Sequence, residues 1–331
     1  EPLPAEAAES ALLLEASVPA PTRRPASAEP DALCAFLSPA LCSRAVADLT
    51  EDRVECAQVK GRALDLWTNK VFGNEARRVL KEELAPERLA ARYEGTPRWL
   101  CEPFSLVEDD GRIAAATLYV LLAPEANGHL CARFYQLRSE KAPPVASLLR
   151  LPKTLRDEEG LCKPGEDRHA AETHLAHASH PSAFALIRIH PVSGDRSKET
   201  LSFISASFGL FFASRGIASR SSEDSIRIFL PDCASAAEAR KTLEKAFLFV
   251  RLSLEILPDT NVRFAGVFAQ GEFDPLRLEA FRRDAADALE GLARKNDDVL
   301  ECVRPEILAT RTEALRSWEL ADAARIGEDR H

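Results

Sequence analysis

Apolar residues recur along this chain at two periods, and the switches between them predict its elements. From residue 31 to 49, DALCAFLSPALCSRAVADL places its apolar positions at helical spacing. RVECAQV (53–59) reads as a strand, and NEARRVLKEELAPERLAARY (74–93) returns to helical period with a break at Pro86. RWLCEPFSLV and RIAAATLYVLL flank residues 108–111, where Asp110-Gly111 supplies the turn of a β-hairpin. CARFYQLR (131–138) suits either a helix or a strand.

Further along the alternation is regular. HAAETHLAHAS predicts a helix, FALIRIHPV a buried strand, and ETLSFISASFGLFFASR a helix apolar enough to be buried. In SRSSEDSIRIFLPD (219–232) a polar turn runs into a strand whose Ile226, Ile228 and Leu230 alternate toward a core. ASAAEARKTLEKAFLFVRLSLEIL predicts a long helix starting after Ser235, and NVRFAGVFAQ a strand. DPLRLEAFRRDAADALEGLARK opens with Asp274 as N-cap and Pro275 at the first helical position, and DVLECV closes the series as a strand. Single-helix connections between strands predict one sheet with helices packed on it. The last segment, 304–331, spaces Ile307, Leu308, Leu315, Trp318 and Leu320 among charges, as an amphipathic helix does. Trp318 and Leu315 are candidate interface residues on it.

Residues 1–30 are rich in Ala, Pro and Glu and read as a disordered arm or linker. The expected organisation is α+β: a sensor-like module over 31–123, a connector over 124–156, a second module over 157–303, and the terminal helix over 304–331. The net charge of −9 and pI near 5.5 argue against binding nucleic acid or anionic membrane surfaces through broad charge attraction. The longest apolar runs are too short and interrupted for membrane insertion, and Ala11 to Leu14 is too brief for a signal-peptide core. The eight scattered cysteines, without a C-x-x-C pair, predict reduced thiols and a cytoplasmic location. The absence of methionine points to an internal fragment or to methionines missing from the sequence; an intact mass well above 36.3 kDa would reveal the latter.

Two resemblances follow from these segments. GTPRWLCEPFSLVEDDGRIAAATLYVLLAPE, with LTEDRVECAQV and VFGNEARRVLKEELAPERL before it, is similar to PAS domains, in which a Trp-containing strand, a D-G turn and a long apolar strand lead out of the fold. Trp67, Trp99 and Tyr119 read as core residues within it, so no cofactor is implied. The second module resembles the GGDEF domain of diguanylate cyclases, a nucleotidyl cyclase-type, ferredoxin-like fold with a central antiparallel sheet flanked by helices. DEEGLCKPGED sits at the family's D-x-L-T-G-L entry, keeping Asp157, Gly160 and Leu161. FALIRIH falls on the first core strand, RSSEDSIRIFLPD on the R-Y-G-G-D-E-F turn and strand, RFAGVFA on the S-I-G-V-A strand, and DAADALEGLARKNDDVLECV on the last helix and strand.

The resemblance implies a degenerate member. Ser222 and Glu223 replace two glycines that admit the triphosphate, Asp224 keeps the first turn acid, and Ser225 replaces the second, ahead of Ile226. Arg188 and His190 stand at the first-strand acids that hold the metal, where an Arg removes a hard ligand and adds repulsion. The family's inhibitory R-x-x-D motif survives only as Arg215, with Ala218 at the acid position. The expectation is a bacterial pseudoenzyme, a non-catalytic signalling protein that acts by protein–protein contact or as a homodimer in a cyclic-dinucleotide or motility pathway. A receptor for cyclic di-GMP, another nucleotide or a small molecule is the alternative, and an active diguanylate cyclase the third reading. No nucleophile elbow or phosphate loop occurs in the chain. His174 and His177, three apart on a predicted helix, are a candidate metal pair, with incidental exposed histidines as the simpler reading.

Overall fold

A computed structural model describes residues 32–37, 40–51, 53–56, 60–62, 73–107, 113–138, 153–166, 181–193, 198–257, 260–292, 297–303 and 305–328. The arm at 1–30, the Asp110-Gly111 turn, Trp67 and the helix carrying His174 and His177 lie outside them.

The first sheet is six-stranded and antiparallel: β1 (Leu41–Asp48), β2 (Arg53–Cys56), β3 (Lys60–Arg62), β4 (Arg98–Val107), β5 (Ile113–Pro124) and β6 (Leu130–Arg138), in the order β3-β2-β1-β6-β5-β4. The expected hairpin is present, with Val107 opposite Ile113. CARFYQLR, expected within the connector, is the strand that joins β1 to β5, so the sheet continues past residue 123.

The helical expectation for 31–49 is corrected. Only α1 (Ala32–Leu37) is helical, and the rest forms β1. Pro39 cannot donate the next helical hydrogen bond and biases the residue before it toward extended backbone. Beyond it, Ala45 and Ala47 point inward and β1 pairs with β6, Ala45 opposite Phe134. Tertiary pairing therefore overrode an apolar spacing that fitted both periods. In 74–93 the break falls where expected: α2 (Gly73–Glu82) and α3 (Pro86–Arg92) are separate, with the proline in the first helical turn.

Side-chain parity assigns the two faces of this sheet. Leu100, Phe104, Leu118, Val120, Leu122 and Phe134 form one core with Val79, Leu80, Leu84 and Leu89 of the α2–α3 region. Trp99, Tyr119, Leu121, Tyr135 and Leu137 face the other way, into a core they share with the second half of the chain. Both faces being covered explains why β5 is apolar at nearly every position and buried from Ala116 to Ala123.

The second sheet is five-stranded: β7 (Ser182–Ser193), β8 (Ile217–Ser222), β9 (Ser225–Leu230), β10 (Asn261–Gly271) and β11 (Val299–Cys302), ordered β11-β10-β7-β9-β8. All its pairs are antiparallel except β10–β11. Its helices are α4 (Lys198–Phe212), α5 (Ala236–Leu254) and α6 (Pro275–Leu292), and α7 (Pro305–Glu328) packs on α6. The predicted caps are made: Glu238 N–H donates to Ser235 Oγ (3.2 Å) and Arg277 N–H to Asp274 Oδ1 (2.7 Å).

Helix α4 joins the two sheets. Phe203 through Phe212 are all buried, because α4 meets β4 of the first sheet as well as α5 and β8 of the second half. The Trp99 ring stacks 6.3 Å from Phe203, and its Nε1 donates to Ser207 Oγ at 3.0 Å. Ser207 in turn donates to Phe203 O at 2.9 Å, so the buried hydroxyl serves as both acceptor and donor. Phe208, Phe247 and Phe264 continue the aromatic packing with centroids 4.8 to 6.2 Å apart. Residues 32–331 are one compact unit.

Candidate functional site

The turn between β8 and β9 is short, with Ser222 opposite Ser225 and an irregularity between Arg220 and Ser222. The strands approach closely: a Cβ at Gly216 would lie 2.2 Å from Phe229 O, so only glycine fits there. At 222 and 223 nothing in the backbone calls for glycine, because Asp232 (φ 53°) alone among the described non-glycine residues has positive φ. Ser222 and Glu223 thus close the turn without left-handed backbone.

Asp224 is the centre of the turn. Ser222 Oγ and Ser225 Oγ donate to its Oδ1 at 2.6 and 3.0 Å, and its carbonyl accepts from Ile189 N–H at 2.7 Å. Arg188, opposite Ser225 on β7, brings its Nε to 3.9 Å from Asp224 Oδ2. Burial pulls the Asp224 pKa up, but the two hydroxyls and the Arg188 charge outweigh it and hold the carboxyl below its ordinary value. Ser225 is buried, whereas Ser222 and Glu223 are exposed.

His190 lies two residues along β7, opposite Arg263 of β10. Burial lowers its pKa, Arg263 and Arg188 lower it further, and Asp224 opposes them. Arg188, His190 and Asp224 are therefore brought together. This corner offers a divalent cation one carboxylate, already paired, beside two guanidinium groups. Magnesium and calcium take oxygen ligands, and guanidinium charges beside a lone carboxylate oppose their binding by repulsion.

Arg215 is not on the surface of the turn. It follows α4, its guanidinium 4.4 Å from the Phe211 ring centroid, and donates to Phe211 O (2.6 Å) and to Phe36 O of α1. Burial lowers its pKa. Its hydrogen bonds tie α1 to the end of α4. On α7, Leu315 is half-buried against the core, and Trp318 is 64% exposed.

Two groupings escaped sequence reasoning. The first surrounds the segment 157–162. Asp157 Oδ1 accepts from Leu161 N–H (2.8 Å), Glu159 accepts from Ser202 Oγ (2.5 Å), and Arg220 lies 4.0 and 3.9 Å from the two carboxylates. Burial, then the Glu159 charge, pushes the Asp157 pKa up to about 6. The second gathers Asp48, Glu51 and His129 where two turns of the first sheet meet. No local pattern signals either grouping as a whole, because Ser202 lies 43 residues from Glu159 and His129 lies 81 residues from Asp48.

A cleft of about 170 Å³ opens between α6 and the β7–β9–β8 face, walled by Phe184, Ile217, Phe229 and Phe281 with Arg227 and Arg282 among its lining. Scanned against protein-family models and searched against curated proteins, the chain returns no match. Among the described residues no helix is long and apolar enough to cross a membrane.

Proposed function

We propose that the chain is a non-catalytic, cytoplasmic signalling protein, with a PAS-like sheet built onto a degenerate GGDEF-like module that works by contact with a protein partner or a second copy. The observation that carries the reading is the Arg188–Asp224 pair at 3.9 Å. A fixed cation stands beside the turn acid where phosphoryl transfer would need a metal, and positioned charge and metal are most of that chemistry. The order β11-β10-β7-β9-β8, with the acidic turn joining β8 to β9, supports the GGDEF-like relationship. The order β2-β1-β6-β5-β4 within the first sheet supports the PAS-like one.

Calorimetry with GTP plus Mg²⁺ and with cyclic di-GMP, run beside a product assay, tests this. The expected result is no product and no micromolar binding of either nucleotide. Product formation would overturn the pseudoenzyme reading, and micromolar cyclic di-GMP binding would replace the contact role with a receptor role.

A second reading, a receptor for a small anionic molecule, is favoured by the cleft under α6, with its apolar walls and two arginines. Pockets for drug-sized ligands run to roughly 300–1,000 Å³. At about 170 Å³ the cleft suits something smaller than a cyclic dinucleotide.

A further inference from the structure

We infer that Asp48, Glu51 and His129 form a binding site for a divalent transition metal of the zinc class, at the end of the first sheet and separate from the β8–β9 turn. Asp48 ends β1, Glu51 lies in the turn that follows, and His129 precedes β6. One ligand atom from each lies within 4.8 Å of the others. His129 Nδ1 is 3.0 Å from Asp48 Oδ2 and 3.5 Å from Glu51 Oε1. Around a tetrahedral zinc with bonds of about 2.0–2.1 Å, neighbouring donors stand roughly 3.3 Å apart, so both His–carboxylate edges have nearly the required length.

The backbone sets this geometry. Thr50 and Glu51 N–H both donate to Asp48 Oδ1 at 2.9 Å, which fixes the carboxylate and turns Oδ2 toward the imidazole. Leu49 N–H donates to Leu130 O (2.9 Å), and Leu130 N–H to Thr50 Oγ1 (3.1 Å), locking the two turns together. His129 N–H donates to Asn127 Oδ1 (2.9 Å) in a turn that carries Gly128 at φ +82°. Hydrogen-bonded support of this kind around metal ligands orients them and strengthens binding. Imidazole with carboxylates suits zinc rather than magnesium or calcium, which prefer all-oxygen shells.

Arg53 occupies the position a cation wants. It pairs with Glu51 and lies 3.8 Å from Asp48 Oδ2, yet its own side chain is 64% exposed. In the metal-free protein this guanidinium balances the two carboxylates; on metal binding it swings into solvent. The ion takes one nitrogen and two oxygens from the protein, and water completes its shell. The bound ion then clamps the β1–β2 and β5–β6 turns.

The test is calorimetric titration of Zn²⁺ into the full chain at neutral pH, repeated with His129→Ala, Asp48→Asn and Arg53→Met. Asp48→Asn retains an oxygen acceptor for the two N–H groups while losing the anionic ligand, so an unchanged metal-free melting temperature separates ligation from folding. We expect a site that weakens roughly tenfold or more in His129→Ala and Asp48→Asn. Arg53→Met, which removes the competing cation, tightens it roughly three- to tenfold, about 1 kcal/mol. Absence of micromolar Zn²⁺ binding overturns the proposal. So does binding that survives His129→Ala unchanged, which assigns the ion to cysteines or other histidines.

Discussion

Residues that titrate inside this fold do so because of what packs around them. Asp157 is the clearest case: burial, then Glu159, raises its carboxyl from 3.8 to about 6, while Arg220 only partly offsets them. Well below 3.8 the group is protonated in both folded and unfolded chains. Between that value and about 6 the folded chain keeps a proton that the unfolded chain releases. Stability therefore falls as pH rises through this window, and the deficit persists above it. Asp157→Asn keeps an acceptor for Leu161 N–H and removes the charge. It is expected to gain about 1–3 kcal/mol near pH 7 and little at pH 4, by urea unfolding at both. Asp224 has the opposite sign: its folded pKa is depressed, so its contribution is present above the unfolded value and lost on acidification. With its side chain 45% exposed, that contribution is small, about 0–1 kcal/mol.

The elements show where local signals suffice. Ser235 and Asp274 were legible as caps because capping is chemistry within one turn of chain, and Pro275 fitted the first helical position for the same reason. Residues 31–49 were not legible, since the spacing that suits a helix also let β1 pair with β6. The segment 157–162 is intermediate. Its Asp157, Gly160 and Leu161 drew notice as a motif, but their physical reason lies in the other sheet. Gly160 has φ +87°, and a Cβ there would meet Cys101 Sγ at 2.5 Å. Cys101 N–H donates to Glu158 O (3.2 Å), and Cys162 N–H donates to Ala218 O (2.9 Å), so these few residues bridge both sheets. Gly160→Ala adds left-handed strain to overpacking against a buried thiol. It is expected to cost about 2–4 kcal/mol, seen as a lower denaturation midpoint with an unchanged slope.

At the scale of the whole molecule, the sheets share one core rather than meeting across a surface. Trp99, Tyr119 and Tyr135 of the first sheet belong to the same buried cluster as Phe203, Phe208 and Phe264 of the second half. Thermal unfolding of residues 32–331 is therefore expected to be a single cooperative transition seen alike by tryptophan fluorescence and far-UV circular dichroism. Two separated transitions would refute the shared-core account. Trp99→Ala removes the stacking on Phe203 and the hydrogen bond to Ser207, at a cost of about 3–5 kcal/mol. The loss should lower the whole transition rather than detach one half.

The sequence by itself determined the β4–β5 hairpin, the helix caps, the alternation of β9 and, β8 excepted, the strand–helix series from β7 onward, because each is written in periodicity and local hydrogen bonding. It also shows that the β8–β9 turn carries Glu223 and Asp224 side by side. Tertiary structure decided what Asp224 meets: Arg188, from the strand β7 earlier in the chain, supplies the charge beside it. It decided as well that Arg215 anchors α1 and that α4 is buried between two sheets. It also brought His129 to Asp48 across 81 residues. Those outcomes depend on which strands become neighbours, and that choice is made by burial of the whole core at once.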